Sequence, residues 1–301
     1  MPTALIFPGQ GAHAPEMLHA CPEQVFASPL WQQLCELVDN DPRQMHDPAY
    51  FARNEVASLL TVFLSLRALQ SNKPLWEKCY HYAGYSVGQV SALYAAGLLL
   101  QEDVLPLVFE RALAMNECLK NSPNTGMLAC IGLTANQLTG AIQDLQLTQT
   151  SISNYNAPGQ LTVAGAVDEL SALEERLRAL KPRKLLRIAT EGAWHSPWLK
   201  SAQTRVEQIF LRALTKTADI RPNGPIKIAC NVTGQWLDHQ PPKNLAHLLG
   251  RQVAEAVQWE SCVRTCIADG VSEFVEMGYG SVLTRFGFFI DRSLIHRHWE
   301  T

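Results

Sequence analysis

Apolar positions along the chain follow two rhythms. Ala4 to Phe7 is an unbroken apolar run stopped by Pro8-Gly9, the mark of a short strand buried on both faces. From Pro22 to about Ser71 apolar residues recur three and four apart, as in Leu59-Leu60, Phe63-Leu64 and Leu66-Arg67-Ala68-Leu69, which predicts helix. Tyr80 to Ala83 predicts a second strand, and Val87 to Gly97 a helix stopped by glycine. Between residues 127 and 190 the rhythm changes: MLACIGL, a helical Thr134 to Leu145, SISN, QLTVAG, a helical Val167 to Leu180, and KLLRIAT. That order, β-α-β-β-α-β, predicts a ferredoxin-like unit. Beyond it the spacing predicts a helix near Ser196 to Leu214, a strand near Ile226 to Ala229, helix through the 250s and 260s, and a last core strand, Glu273 to Glu276. The expectation is an α/β chain: a large domain of residues 1–126 and 191–301, with a ferredoxin-like subdomain inserted at 127–190.

Composition narrows the function classes. The 301 residues, 47 % hydrophobic, suffice for one large domain carrying a smaller one. A net charge of -3 gives no global attraction to nucleic acid or to an anionic membrane. The longest apolar stretch, Ser91 to Leu100, falls short of the ~20 residues that span a bilayer. The opening MPTALIFPGQG lacks the basic region of a secretory signal. Eight cysteines include no CxxC and sit mostly among apolar neighbours, so they read as reduced core residues of a cytoplasmic protein. Cys262 and Cys266 could share a helix face as half a metal site, but no nearby His or Cys completes it.

Candidate chemistry centres on Gly84-Tyr85-Ser86-Val87-Gly88, set between a predicted strand and a predicted helix. Gly-x-Ser-x-Gly describes a sharp turn that lifts a serine out of the backbone, although it is also an ordinary small-residue turn. A serine hydroxyl needs a base to take its proton and N–H groups to receive the oxyanion. Of nine histidines, His195 in EGAWHSP, on a glycine-broken loop after KLLRIAT, is the best placed base; its plainer reading is a solvated or helix-capping histidine. The donor loop would be Phe7-Pro8-Gly9-Gln10-Gly11-Ala12. The same stretch formally fits a dinucleotide fingerprint through Gly9, Gly11 and Ala14, but Pro8, Pro15 and the lack of an acidic residue closing a second strand argue against it.

Seven stretches in order, FPGQGA, GYSVG with SALYAAG, FERALAM, SNYNAPGQLTVAG, GAWHSPWL, RQVAEAVQW and EMGYGSVLTR, resemble successive blocks of malonyl-CoA:acyl-carrier-protein acyltransferases. The resemblance implies a hydrolase-like α/β domain with a ferredoxin-like subdomain, in agreement with the pattern. It implies Ser86 as nucleophile, His195 as base, Gln10 and Val87 as oxyanion-hole positions, and Gln252 as the glutamine that helps orient the histidine. Arg111 corresponds to the arginine that binds the free carboxylate of malonyl, a role suited to a planar guanidinium fork; on a helix it could instead be a solvated residue. Trp194 before the histidine and Val87 after the serine resemble the malonyl-selective type, where a bulky indole leaves little room for a methyl branch. Two positions depart from the family: Tyr85 stands where histidine is usual, and Gln89 where an acid is usual. Tyrosine there resembles the acyltransferase subunits of malonate decarboxylases.

The implied reaction moves a malonyl group from malonyl-CoA to the pantetheine thiol of an acyl carrier protein, with no metal or redox cofactor and no nucleic-acid or membrane partner. Three rivals stay open. An α/β-hydrolase esterase would end its triad on a late histidine such as His296 or His298. A catalytically weak subunit would bind carrier protein or CoA as a scaffold. A proofreading hydrolase resembles the family with the arginine changed, which Arg111 disfavours. Finally, Arg176, Arg178, Lys181, Arg183, Lys184 and Arg187 crowd one helix end and the next strand, either as a solvated helix end or as a docking patch for an acidic carrier protein.

Overall fold

The computed structural model describes residues 2–11, 15–19, 21–120, 122, 124–217, 226–237 and 240–300. Ala12 and Ala14, named above with the donor loop and the fingerprint, lie outside them. Strand β1 (Thr3–Phe7) comes first, then helices α1 (Pro29–Val38), α2 (Pro48–Ala52), α3 (Asn54–Ser71) and α4 (Lys73–Trp76). After them follow β2 (His81–Gly84), α5 (Gly88–Ala95) and α6 (Gln101–Leu119). The second body is β3 (Thr125–Ile131), α7 (Ala135–Asp144), β4 (Ser151–Ala157), β5 (Gln160–Ala166), α8 (Val167–Arg178) and β6 (Lys184–Ile188), in the expected order. The chain then returns to the first body through α9 (Gln203–Thr215), β7 (Lys227–Ala229), α10 (Pro242–Arg251), α11 (Trp259–Ala268), β8 (Glu273–Glu276), α12 (Val282–Ile290) and β9 (Ile295–His298).

The large sheet is parallel, in the order β7-β2-β1-β8-β9. Its central strand β1 is covered on both faces, which is why Ala4 to Phe7 reads as an unbroken apolar run. Phe7 pairs with Gly84, so the loop leaving β1 and the turn leaving β2 emerge side by side at one edge. Helix α3 is buried on every side from Asn54 to Leu66, which carries its polar first residue into the interior. The small sheet is antiparallel, in the order β4-β5-β3-β6. One face packs Leu128, Cys130, Leu161 and Val163 against Leu138 of α7 and Leu170, Leu173 and Leu177 of α8. From its other face Met127 and Ala164 join the core of the large body.

Three features differ from the sequence expectation. Helix does not run on through the 250s: α10 ends at Arg251 and α11 starts at Trp259. Val257 between them pairs with β4, its N–H donating to the Ser153 carbonyl and its own carbonyl accepting from Tyr155, both at 2.9 Å. The helix expected from Ser196 starts as a 3-10 turn, Pro197–Ala202, and becomes regular only at Gln203. Ser196 is extended, as a residue before proline prefers. Strand β9, with the polar sequence IHRH, was not expected at all.

Candidate active site

Ser86 stands on a strand-to-helix elbow between β2 and α5. A Cβ on Gly84 would lie 2.1 Å from the Gly88 carbonyl oxygen, and one on Gly88 2.3 Å from that of Phe7, so both flanking positions have room for glycine only. Between them Ser86 adopts a positive φ of 53°, a conformation that costs a non-glycine residue of order 1–3 kcal/mol and persists only where its surroundings impose it. A Cβ on Gly9 would sit 2.7 Å from the Tyr85 carbonyl oxygen, so the loop after β1 lies against the elbow. Gln10 follows on that loop, its side-chain amide donating to Asn54 Oδ1 and to Ser58 Oγ of α3, each at 2.6 Å. Val87 is buried at the start of α5, where helix N–H groups point outward.

The serine meets its base directly: Ser86 Oγ lies 2.6 Å from His195 Nε2. His195 has a φ of 57°, and its N–H donates to the Val253 carbonyl at 3.1 Å. The other ring nitrogen, Nδ1, is 2.8 Å from the main-chain oxygen of Gln252. A carbonyl can only accept, so Nδ1 carries the hydrogen and Nε2 is left to receive the serine proton. Burial and then the positive charge of Arg111 lower the His195 pKa from 6.5 to about 4, against the opposing pull of the Gln252 carbonyl. The imidazole is therefore neutral at physiological pH.

Gln252 thus reaches the histidine through its main chain. Its side chain turns the other way, Nε2 donating to the Ser86 carbonyl and to Asn231 Oδ1, each at 3.1 Å. It is 2 % exposed and lies off the lining of the cleft.

Arg111 projects from α6 and is buried, with Nε and Nη2 lacking any hydrogen-bond partner among the described residues. Burial lowers its pKa to about 10, so it still carries its charge at neutral pH. An interior guanidinium with unmet donors is costly unless an anion arrives. Trp194 is buried beside His195 and lines a cleft together with Gln10, Ser86, Met127 and Asn154. Arg111 is not on that lining but reaches the site electrostatically, through its effect on His195. A second, open pocket shares Gln10, Tyr85, Thr162 and Ile188 with the cleft and extends to Val282 and Phe286 of α12.

Two features escaped the sequence reading. Tyr85 bridges the two bodies: its hydroxyl donates to Asn156 Oδ1 at 2.7 Å and accepts from Asn154 Nδ2 at 2.8 Å, both on β4. Asn231, just after β7, accepts from the Ser86 N–H at 2.7 Å. The available signal was a polar residue closing an apolar strand, in ACNVTG, which is too common to single out.

With this geometry in view, comparison with known proteins is decisive: the family model described as acyl transferase domain matches residues 20–288. The chain belongs to the acyl transferase domain family. This acyl transferase is 29 % identical over 294 residues to the polyketide biosynthesis protein ThaF of Burkholderia thailandensis, a match over 93 % of this chain but only 23 % of that protein. It is 25 % identical over 300 residues to a malonyl CoA-acyl carrier protein transacylase of Bacillus subtilis, covering 97 % of this chain and 91 % of that one. The crystal structure of an acyl-carrier-protein S-malonyltransferase from Burkholderia pseudomallei 1710b superposes with a TM-score of 0.84 at 25 % identity, covering 98 % and 95 % of the two chains. The esterase layout does not fit this acyl transferase. His296 and His298 lie on β9, which β1 and β8 separate from the strand bearing the elbow. Their Nε2 atoms meet the main-chain oxygens of Asp291 and Gly278 at 2.7 Å. Among the described residues no helix is long and apolar enough to cross a membrane.

Proposed function

We propose that the chain transfers a malonyl group from malonyl-CoA to the pantetheine thiol of an acyl carrier protein through an ester on Ser86. The observation that carries this reading is a Ser86–His195 pair within electrostatic reach of a buried guanidinium, Arg111, whose Nε and Nη2 have no partner among the described residues. His195 Nε2 takes the proton as Ser86 Oγ attacks the thioester carbon, while the N–H groups of Val87 and Gln10 receive the oxyanion. The CoA sulfur leaves as the thiol, taking the proton from the imidazolium, so Nε2 is free to deprotonate the acceptor thiol as the sequence runs in reverse. The substrate's free carboxylate pairs with the Arg111 fork, which gives the buried charge a counter-ion only when substrate is present.

The names of the Bacillus subtilis and Burkholderia pseudomallei proteins support malonyl and carrier protein as donor group and acceptor. Tyr85 alone points to the malonate decarboxylase branch. A cytoplasmic setting belongs to the same reading, supported by eight cysteines that are all unpaired. The test is to incubate the protein with malonyl-CoA and a phosphopantetheine-bearing carrier protein and follow the carrier by mass spectrometry. The carrier gains one malonyl group with the wild type and none with Ser86→Ala. Release of free malonate with no carrier product would make the chain a hydrolase instead.

A further inference from the structure

Ser86 is held in a left-handed conformation, and one buried side chain, that of Asn231, contacts the turn on both sides of it. Asn231 is 1 % exposed. Its Oδ1 accepts from the Ser86 N–H at 2.7 Å, and its Nδ2 donates to the Gly84 carbonyl at 2.5 Å. One amide therefore grips the elbow on both sides of the residue with φ 53°. The amide is itself fixed at both main-chain ends. The Asn231 N–H donates to Gln89 Oε1 at 3.3 Å, and its carbonyl accepts from the Gln258 N–H at 2.8 Å. Gln89 belongs to α5, the helix that the elbow starts, so the grip closes on the same turn from behind.

The second lone pair of Asn231 Oδ1 accepts from Gln252 Nε2, which also donates to the Ser86 carbonyl. The main-chain oxygen of the same Gln252 takes the Nδ1 hydrogen of His195. The path Ser86, Asn231, Gln252, His195 is thus a closed polar circuit in which the nucleophile and its base share one support.

We propose that Asn231 is the positioning residue of this site, setting the direction of Ser86 Oγ and, through Gln252, its register with His195 Nε2. The inference rests on the reading of Ser86 as nucleophile. It touches no substrate, so it predicts slower attack by a site that is still formed and still able to react completely.

A fluorophosphonate probe measures that attack without substrate recognition: Ser86 Oγ bonds to phosphorus, fluoride leaves, and His195 takes the hydroxyl proton. Asn231→Asp keeps the shape and both acceptor contacts but turns an oxygen toward the Gly84 carbonyl; Asn231→Ala removes every side-chain contact. Labelling should slow about tenfold in the first and about a hundredfold in the second, the scale expected for orphaned buried polar groups. Every molecule should still label in the end. The same ordering should appear in the rate of malonylation, with KM for malonyl-CoA within about threefold of wild type. Should Asn231→Ala fail to fold, Asn231→Asp decides alone. Rate constants within twofold of wild type, or a loss confined to the labelled fraction and the melting temperature, would reduce Asn231 to a structural residue and overturn the proposal. Absence of Ser86 labelling in the wild type would instead defeat the nucleophile reading, and this inference with it.

Discussion

His195 is a base oriented by a main-chain carbonyl, with no carboxylate among its partners in the described residues to favour its charged form. Burial and the nearby guanidinium both disfavour the imidazolium, so the free enzyme keeps a neutral base as pH falls, until about pH 4. Acylation kcat/KM should accordingly be flat from about pH 5.5 to 8 and decline only toward pH 4, and Arg111→Ala should move that decline to higher pH. An inflection near the ordinary histidine value in the wild type would show that the imidazole is solvated in solution. Ser86 was legible in the sequence because its turn demands glycine at two fixed positions, and His195 because a polar loop follows a strand. Arg111 was legible only through family resemblance, since nothing local marks an arginine on a helix as buried. Gln252 was legible only through the same resemblance, since the main-chain oxygen that meets His195 carries no side-chain signature.

At the scale of elements, the small sheet decides what can approach the cleft. Of the six basic residues noted at the end of α8 and along β6, Arg176 pairs with Asp144 at 3.1 Å, and Arg178 and Arg187 pair with Glu174 at 2.8 and 3.0 Å. Lys181, Arg183 and Lys184 form no ion pair among the described residues, so the patch is half the size the sequence suggests. Strand β6 is an edge strand, and Lys184, Leu186 and Ile188 alternate onto its exposed face, the last two 50 % and 38 % exposed. Ile188 also lines the cleft, so this row leads from positive charge to the site. Charge steering acts on encounter rate and weakens with salt. Lys181→Glu with Lys184→Glu should therefore slow transfer to the carrier protein several-fold at low salt, with a smaller effect at high salt, and leave Ser86 malonylation near wild type. Loss of both half-reactions would assign the patch to CoA or to the fold, and no change would leave it a charged surface. The β-α-β-β-α-β order was readable because short strand-like runs are interleaved with two stretches of helical spacing. The break between α10 and α11 was not, because it is set by pairing with β4, about a hundred residues earlier.

Across the whole molecule, Gln10 and Ser86 meet because the parallel strands β1 and β2 deliver their loops to one edge of the sheet, the usual place for a site in such folds, while His195 enters on the segment after β6 and Arg111 from within α6. The small body covers that edge and is tied to it by the Tyr85 hydroxyl and by the pairing of Val257 with β4. Topology explains the cleft, while the buried Arg111 guanidinium, whose Nε and Nη2 have no partner among the described residues, is the proposed counter-charge for an anionic acyl group. The most direct test is the intact mass of the protein after exposure to malonyl-CoA or, separately, to acetyl-CoA, with no acceptor present. The wild type should gain one malonyl group far faster than an acetyl group, and Ser86→Ala should gain neither. Arg111→Ala should lose malonylation by roughly ten- to more than a hundredfold, the equivalent of about 1.5–3 kcal/mol for charged hydrogen bonds, while its acetylation stays near the wild-type rate. A malonyl adduct that persists in Ser86→Ala, or equal losses of both acyl groups in Arg111→Ala, would contradict the account.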